Sequence, residues 1–232
     1  MCRMKFFRRN RTASEGTSES VEASSVDPSV DAAARAARFW QRWKELLPEI
    51  SAALGDKVLH RVEPLIAEAV AELHPHLSFS VERGEKAVYA LVISSQEDPE
   101  LRVYTDAWMA AAPPADTLWE YHDSVPPVPD PTEVTVNLRG EKYPLDQVRV
   151  VAQVDEEEGL VDVALYHPGF AQLEAEARRA LTFLTLDATL GERLAAARLG
   201  RVETAELEPQ SSIGLLEFRE LARKLDDERT DQ

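Results

Sequence analysis

Four consecutive residues carry the side chains best suited to chemistry in this chain: Tyr121, His122, Asp123 and Ser124. An imidazole base, a carboxylate and a hydroxyl are the groups that nucleophilic hydrolysis uses. Catalytic triads, however, are assembled in space from separate segments, and successive side chains of a strand point to opposite faces. The pattern therefore favours a strand end. A hydrolase or small-ligand site stays open as an alternative if His167, at another strand end, converges with His122.

Two further groups have the composition of metal ligands. His74 and His76 flank Pro75, but a closed metal site needs two more ligands and the sequence marks none nearby. Residues 155–158 are all acidic, without the alternating acid and glycine spacing of a calcium-binding loop. The 9 glycines form neither the dinucleotide-binding nor the P-loop pattern. The sequence therefore predicts no metal site, no cofactor and no catalytic residue.

The four tryptophans are Trp40, Trp43, Trp108 and Trp119. Large aromatic side chains most often fill a core, whereas an exposed tryptophan is a first candidate for an interface. Histidines at strand ends are the remaining candidates for contact with a ligand. The predicted binding residues are therefore Trp108, Trp119, His122 and His167.

The net charge restricts the classes of partner. The 232 residues include 26 Lys plus Arg and 42 Asp plus Glu, a formal net charge of −16. Nucleic-acid binding needs cations that face the phosphates, so we expect no nucleic-acid partner. A basic protein, such as a nuclease with a cationic groove, fits the charge, and so does solubility alone.

Residues 1–30 differ from the rest of the chain. Residues 1–11 hold five cations and no acid, and residues 12–30 are rich in Ser and Thr without a hydrophobic period. This composition predicts a disordered tail, with weak tethering to a membrane surface as a further alternative. No apolar run approaches the roughly 20 residues of a membrane span. A single cysteine, Cys2, and the absence of a signal-peptide pattern predict a cytoplasmic protein without integral membrane association.

The period of the apolar residues predicts helices and strands that position the candidate residues. Helical spacing indicates a helix from Pro28 to Gly55, kinked or broken at Pro48, and a second helix that stops at His74. Further helices are predicted from Pro99 to about residue 112, at 170–190 with Gly191 as the cap, and at 217–225. Alternation and short apolar runs predict strands at 77–82, 88–93, 118–122, 134–138, 148–154, 160–166 and 201–207.

This order of elements predicts the class of fold. Single strands do not alternate strictly with helices, so a doubly wound parallel sheet is disfavoured. We expect one α+β domain over residues 31–226 with a mixed, mostly antiparallel sheet. The N-terminal helical pair and the helix at 170–190 pack on this sheet, and residues 227–232 fray.

Five short motifs lie in order between residues 38 and 208: Phe39-Trp40-x-x-Trp43, Leu73-His74-Pro75-x-Leu77-x-Phe79, Leu91-Val92-Ile93-Ser94, Tyr166-His167-Pro168-Gly169-Phe170 and Leu186-Asp187-x-x-Leu190-Gly191-Glu192. Their order and spacing resemble those of a family of uncharacterised bacterial proteins, of the domain-of-unknown-function kind. Glycines follow the Val-Ile-Ser stretch in that family, whereas Ser95 and Gln96 stand here. The resemblance implies a bacterial cytoplasmic domain and implies no activity.

These observations predict a non-catalytic, acidic protein-binding or regulatory module of unknown process. Its partner is another protein, and an inhibitor of a basic toxin is one version. The alternative is a hydrolase or small-ligand-binding enzyme that uses residues 121–123 and His167. The sequence leaves the oligomeric state open.

Overall fold

A computed structural model describes residues 28–56, 58–96 and 98–230 of the chain. Within these ranges it contains five α-helices and eight β-strands, which confirms the predicted α+β class. The chain divides into two compact units, residues 1–124 and 125–232, where the sequence predicts one domain. Each unit has its own hydrophobic core. Most of the predicted tail lies outside the described residues.

The first unit combines three helices with a three-stranded sheet. Its elements are α1 (Pro28–Gly55), α2 (Glu63–Leu73), β1 (Ser78–Arg83), β2 (Tyr89–Ser94), α3 (Arg102–Ala110) and β3 (Trp119–His122). Strand β2 is central, antiparallel to β1 and parallel to β3. A parallel pair needs a crossover connection, and α3 supplies it.

Helix α1 continues through Pro48, where the sequence predicts a kink or break. A proline inside a helix removes one backbone hydrogen bond and costs about 3 kcal/mol. Ile50 and Ala53 lie beyond the proline and are buried in the core. Because most helical stability in proteins comes from such packing, their burial offsets the lost bond. The helix ends at Gly55, as predicted.

The second unit contains five strands and two helices. Its elements are β4 (Thr135–Leu138), β5 (Glu141–Pro144), β6 (Arg149–Asp155), β7 (Leu160–Tyr166), α4 (Ala175–Arg198), β8 (Leu199–Thr204) and α5 (Leu215–Thr230). Strands β4 and β5 form a separate hairpin. In the other sheet β7 is central, antiparallel to β6 and parallel to β8. Helix α5 includes residues 227–230, which the sequence predicts to fray.

The strands form three sheets in place of the one central sheet that the sequence predicts. The N-terminal helical pair lies in the unit of β1–β3, and α4 lies in the unit of β6–β8. The proline-rich stretch at residues 126–131 follows β3. Prolines have no N–H to donate to a ladder, so this stretch does not continue the first sheet.

Helix α4 is interrupted at Gly191, the residue predicted to cap it, and continues as a second helical stretch to Arg198. Gly191 has φ 71° and ψ 172°, a conformation that only glycine adopts readily. A Cβ at this position would lie 2.6 Å from the backbone nitrogen of Pro127. Glu192 and Val125 exchange two hydrogen bonds beside it, of 2.8 and 3.0 Å. Residues 125–129 therefore dock against α4 at this interruption.

Candidate functional site

Trp108 and Trp119, two of the predicted binding residues, lie in the core of the first unit. Trp108 is 0% exposed and Trp119 is 2% exposed. Trp108 stacks on Trp40 with ring centroids 5.0 Å apart, and Trp119 meets Trp43 edge-on at 5.1 Å. The Trp40 indole N–H also donates to the Trp108 carbonyl oxygen at 2.8 Å. Both side chains therefore have the geometry of core residues, which the sequence analysis weighed as the alternative to an interface.

Glu120, which the sequence analysis did not single out, holds the turn between β1 and β2. Its carboxylate accepts backbone N–H bonds from Glu85 at 2.7 Å, Lys86 at 2.9 Å and Ala87 at 3.0 Å. Burial by itself raises the pKa of this carboxyl. The three backbone bonds and the neighbouring His122 outweigh burial and lower the pKa to about 2.

Backbone geometry explains why this turn forms around the carboxylate. Glu120 pairs with Ala90 in the parallel register of β2 and β3, which places its side chain beside the start of β2. A Cβ on Gly84 would lie 2.5 Å from the Ala87 carbonyl oxygen and 3.0 Å from the Glu120 carboxyl carbon. Glycine at 84 thus lets the turn close on Glu120.

His122 lies two residues after Glu120 on the same face of β3. Its Nε2 is 3.2 Å from the Glu120 carboxylate, and its side chain is 33% exposed. A carboxylate beside an imidazole orients the ring.

The neighbours of His122 contact other groups of the chain. The Tyr121 ring packs edge-on against Trp40 at 4.8 Å, on the opposite, core face of the strand. The Ser124 hydroxyl donates to the Asp123 carboxylate at 3.2 Å. Tyr121 and His122 therefore contact different partners, and Asp123 and Ser124 bond to each other.

Replacing Glu120 with glutamine should lower the free energy of unfolding of the first unit by about 2–3 kcal/mol. A neutral amide oxygen accepts weaker bonds than a carboxylate, and the amide NH₂ faces backbone donors. Urea unfolding followed by tryptophan fluorescence measures this loss, because all four tryptophans lie in the first unit. Glu85→Gln is the matched control. Its side chain is exposed, so we expect a change below about 0.5 kcal/mol.

The same bond network predicts an acid-sensitive stability. The folded pKa of Glu120, about 2, lies below its ordinary value of 4.5. Its contribution is therefore complete above about pH 4.5 and is lost as pH falls toward about 2. Wild type and Glu120→Gln should converge in stability across this window. A constant difference down to about pH 2 would contradict the assignment.

His167, in the second unit, is a structural cap. It is 2% exposed, its Nδ1 accepts the Gly169 N–H at 2.9 Å, and its Nε2 donates to the Pro144 carbonyl oxygen at 3.1 Å. Burial lowers the pKa of the imidazole and favours its neutral form. A Cβ on Gly169 would lie 2.7 Å from the Tyr143 ring. The His-Pro-Gly motif is therefore explained by packing and capping.

His122 and His167 lie in different units, so neither unit brings the two predicted histidines together.

The His74 and His76 rings are 5.4 Å apart, and His74 also packs on Tyr104 at 4.7 Å. In the described part of the chain, no group of three or more His, Cys, Asp or Glu side chains is placed to hold a metal ion. The described helices include none that is long and apolar enough to cross a bilayer.

An open groove of about 530 Å³ lies on the second unit between α5 and the edge of β6. We call it the β6 groove. Residues of one α5 stripe, at helical spacing, form one wall, and β6 and the segment before α5 form the other. Its lining consists of Val151, Ala152, Ser211, Ser212, Ile213, Glu217, Glu220, Leu221 and Lys224. Sequence reasoning missed this groove, since only the chain path brings residues 151–152 beside residues 211–224.

No family model matches this chain, and the searches of curated proteins and of solved structures found no similar protein. The resemblance to a family of uncharacterised bacterial proteins therefore stays a prediction.

Proposed function

We propose that this chain is a non-catalytic, acidic protein-binding or regulatory module whose partner is a basic protein. The observation that carries the proposal is the charge: 42 acidic residues against 26 basic ones. The second unit alone holds 22 acidic and 12 basic residues. Its exposed acidic side chains include the whole of residues 155–158, which form the turn between β6 and β7. We call this turn the acidic tip.

The candidate catalytic groups are hydrogen-bonded within the chain, which also supports a binding function over catalysis. Both ring nitrogens of His167 bond to backbone groups. The Glu120 carboxylate is occupied by a turn of its own unit. These groups are committed to structure, whereas exposed acidic side chains such as those of the acidic tip lie at the surface.

Electrostatic attraction of this kind has a measurable signature. Opposite surface charges accelerate encounter and select the partner, and dissolved salt screens them. The screening length is about 10 Å at 0.1 M salt and about 3 Å at 1 M. A complex held by the acidic surface should therefore weaken steeply as salt rises.

Affinity capture tests the proposal. The tagged full chain is exposed to a lysate of the cells that encode it, at low and at high salt, and captured proteins are identified by mass spectrometry. We expect one dominant basic protein that is lost at high salt. An unrelated acidic protein of similar net charge serves as the control bait, and equal capture by that bait would contradict specific recognition.

A second candidate function, hydrolysis or small-ligand binding, has one observation in its favour. His122 is one-third exposed and its Nε2 lies 3.2 Å from the Glu120 carboxylate. A thermal-shift screen of metabolites tests this candidate, with His122→Gln as the comparison. A ligand that stabilises wild type and not His122→Gln would favour the enzyme, whereas the binding module predicts no such ligand.

We further infer a cytoplasmic location. The support is the single cysteine, Cys2, which excludes an intrachain disulfide. Fluorescence microscopy of the tagged full chain should show uniform cytoplasmic signal. Enrichment at the cell envelope would favour the membrane-surface alternative for the basic residues 1–11 instead.

A further inference from the structure

The outer edge of β6 is only partly paired. Sheet order β6-β7-β8 places β6 at an edge, and Val150 exchanges two backbone bonds of 2.9 Å with Ile213 on its outer side. Backbone groups of a strand face alternate sides. Ala152 and Val154 therefore point their N–H and C=O groups in the same outward direction as Val150. In the described residues no backbone bond extends this outer pairing beyond Ile213, and Ser211 and Ser212 of the same segment line the groove beside Ala152.

An open strand edge is a template for a further strand. Proteins commonly protect such edges with proline, lysine or a bulge, and residues 151–154 contain neither proline nor lysine. The register of β6 with β7 is also continuous from Arg149 to Asp155, without a bulge. Two outward residues, Ala152 and Val154, offer two donors and two acceptors to an added strand.

The β6 groove lies beside this open edge and combines an apolar wall with acidic side chains. Leu221 from α5 faces the groove together with Ala152 and Ile213, and Glu217 and Glu220 lie on the same α5 stripe. Lys224, the cation of the lining, is 3.8 Å from Glu228, and Glu220 bonds to Arg223 at 3.0 Å, so both have a partner of opposite charge. The groove thus pairs apolar surface with negative charge.

The charge around the edge decides which occupant fits. A strand opposite Ala152 and Val154 ends beside the acidic tip, since β6 leads directly into residues 155–158. A second copy of this chain would bring its own acidic tip and a further net charge of −16, so like charges would oppose pairing. An extended segment with Lys or Arg residues meets opposite charge along the same path.

We propose that the β6 edge and the β6 groove bind an extended, basic segment of the partner protein by strand addition. The added strand bonds to the outward backbone groups of Ala152 and Val154. Its apolar side chains pack against Leu221, and its cations face Glu217, Glu220 and the acidic tip. This inference rests on the proposed function and names the surface and the chemistry of the partner segment.

A peptide of eight alternating valine and lysine residues, capped at both ends, is the probe. Its twin carries N-methyl groups on every second residue, so it keeps the side chains and charge but lacks donors for strand pairing. The probe is titrated into the ¹⁵N-labelled full chain. We expect saturable amide shifts centred on Ala152 and Val154, and at least about tenfold weaker binding of the twin, because its hydrogen bonds are lost.

Two double variants distinguish binding in the β6 groove from general electrostatic attraction to the acidic chain. Glu217→Lys with Glu220→Lys reverses charge in the groove, and Glu141→Lys with Glu176→Lys makes the same change in net charge elsewhere in the unit. All four side chains are exposed, and dispersed amide spectra check that both variants fold. We expect the groove variant to lose more than about tenfold in affinity and the control less than about threefold.

Several outcomes would overturn the proposal. Shifts scattered over the acidic surface, or equal binding of the N-methylated twin, would indicate a general electrostatic contact. Such a result would overturn strand addition but would still be compatible with the proposed function. Shifts of Ala152 and Val154 that depend on protein concentration alone assign the edge to a second copy. If removal of residues 1–11 causes the same shifts of Ala152 and Val154, the β6 edge is occupied by this basic segment of the chain itself. Failure of both the probe and the captured partner to bind contradicts the proposed function as well.

Discussion

Replacing Trp108 with alanine should lower the free energy of unfolding of the first unit by about 3–5 kcal/mol. Trp108 is 0% exposed, stacks on Trp40, and contacts Phe39 edge-on with centroids 5.8 Å apart. Its indole Nε1 has no hydrogen-bond partner among the described residues. The loss therefore comes from packing, since truncation leaves a large cavity and no orphaned polar group.

Urea unfolding followed by tryptophan fluorescence measures this loss through the three remaining tryptophans of the first unit. Met109→Ala, at the next position of α3, is the control. Met109 is 40% exposed, so we expect a loss below about 1 kcal/mol. A Trp108→Ala protein as stable as the control would contradict the buried assignment. If the Trp108→Ala protein also failed to bind the captured partner protein, Trp108 would be a residue that contacts the partner.

Replacing Arg219 with methionine should destabilise the second unit by about 3–5 kcal/mol. The guanidinium is buried and donates to the carbonyl oxygens of Thr189 at 2.6 Å, Pro129 at 2.9 Å and Val128 at 2.6 Å. Methionine fills a similar volume and satisfies none of these acceptors. The buried Thr189 carbonyl costs about 1–3 kcal/mol when it is left without a donor, and the part-buried Pro129 and Val128 carbonyls each lose a charge-assisted bond.

The interruption of α4 at Gly191 explains why these acceptors need a donor from outside the helix. At the interruption the Glu192 N–H bonds to the Val125 carbonyl oxygen at 2.8 Å and not to a carbonyl of its own helix. The Val128 N–H bonds to Ala188 at 2.9 Å, and Arg219 bonds to Thr189. Arg219 therefore holds the broken helix and the docked residues 125–129 together.

Hydrogen exchange of the Val128 amide, read together with urea unfolding by circular dichroism, checks this prediction. Arg219→Met should speed the exchange and shift the unfolding midpoint. Arg223→Met, one turn later on α5, removes an exposed cation that bonds to Glu220 at 3.0 Å. We expect the Arg223 change to cost less than about 0.5 kcal/mol. Equal effects of the two substitutions would argue against the buried network.

Periodicity predicted most helices and strands because local burial patterns decide them. The strand at 160–166 matches β7, and the stop at His74 matches the end of α2. Strand β5 was missed, because its hairpin turn uses Arg139 at φ 54° before Gly140 at φ 90°. Arginine is unusual in this left-handed region, so the pair does not resemble the Asn-Gly signal of a tight hairpin.

The candidate sites depended on contacts between distant parts of the chain, which periodicity does not reveal. Glu120 resembles a solvent-facing strand residue until the turn 33–35 residues earlier is placed around it. His167 reads as a chain breaker beside Pro168, and its capping role needs Pro144, which lies 23 residues away. All four tryptophans are buried, as is usual for large aromatic side chains, and two of them, Trp108 and Trp119, were also predicted to be binding residues.

The central claim is that the folded acidic chain binds a basic protein through its surface charge. Isothermal titration of the full chain with the purified captured partner, at about 0.1 M and about 1 M salt, tests it most directly. We expect a one-to-one complex at the lower salt whose affinity falls by at least about tenfold at the higher salt. An affinity that is unchanged between the two salts would contradict it.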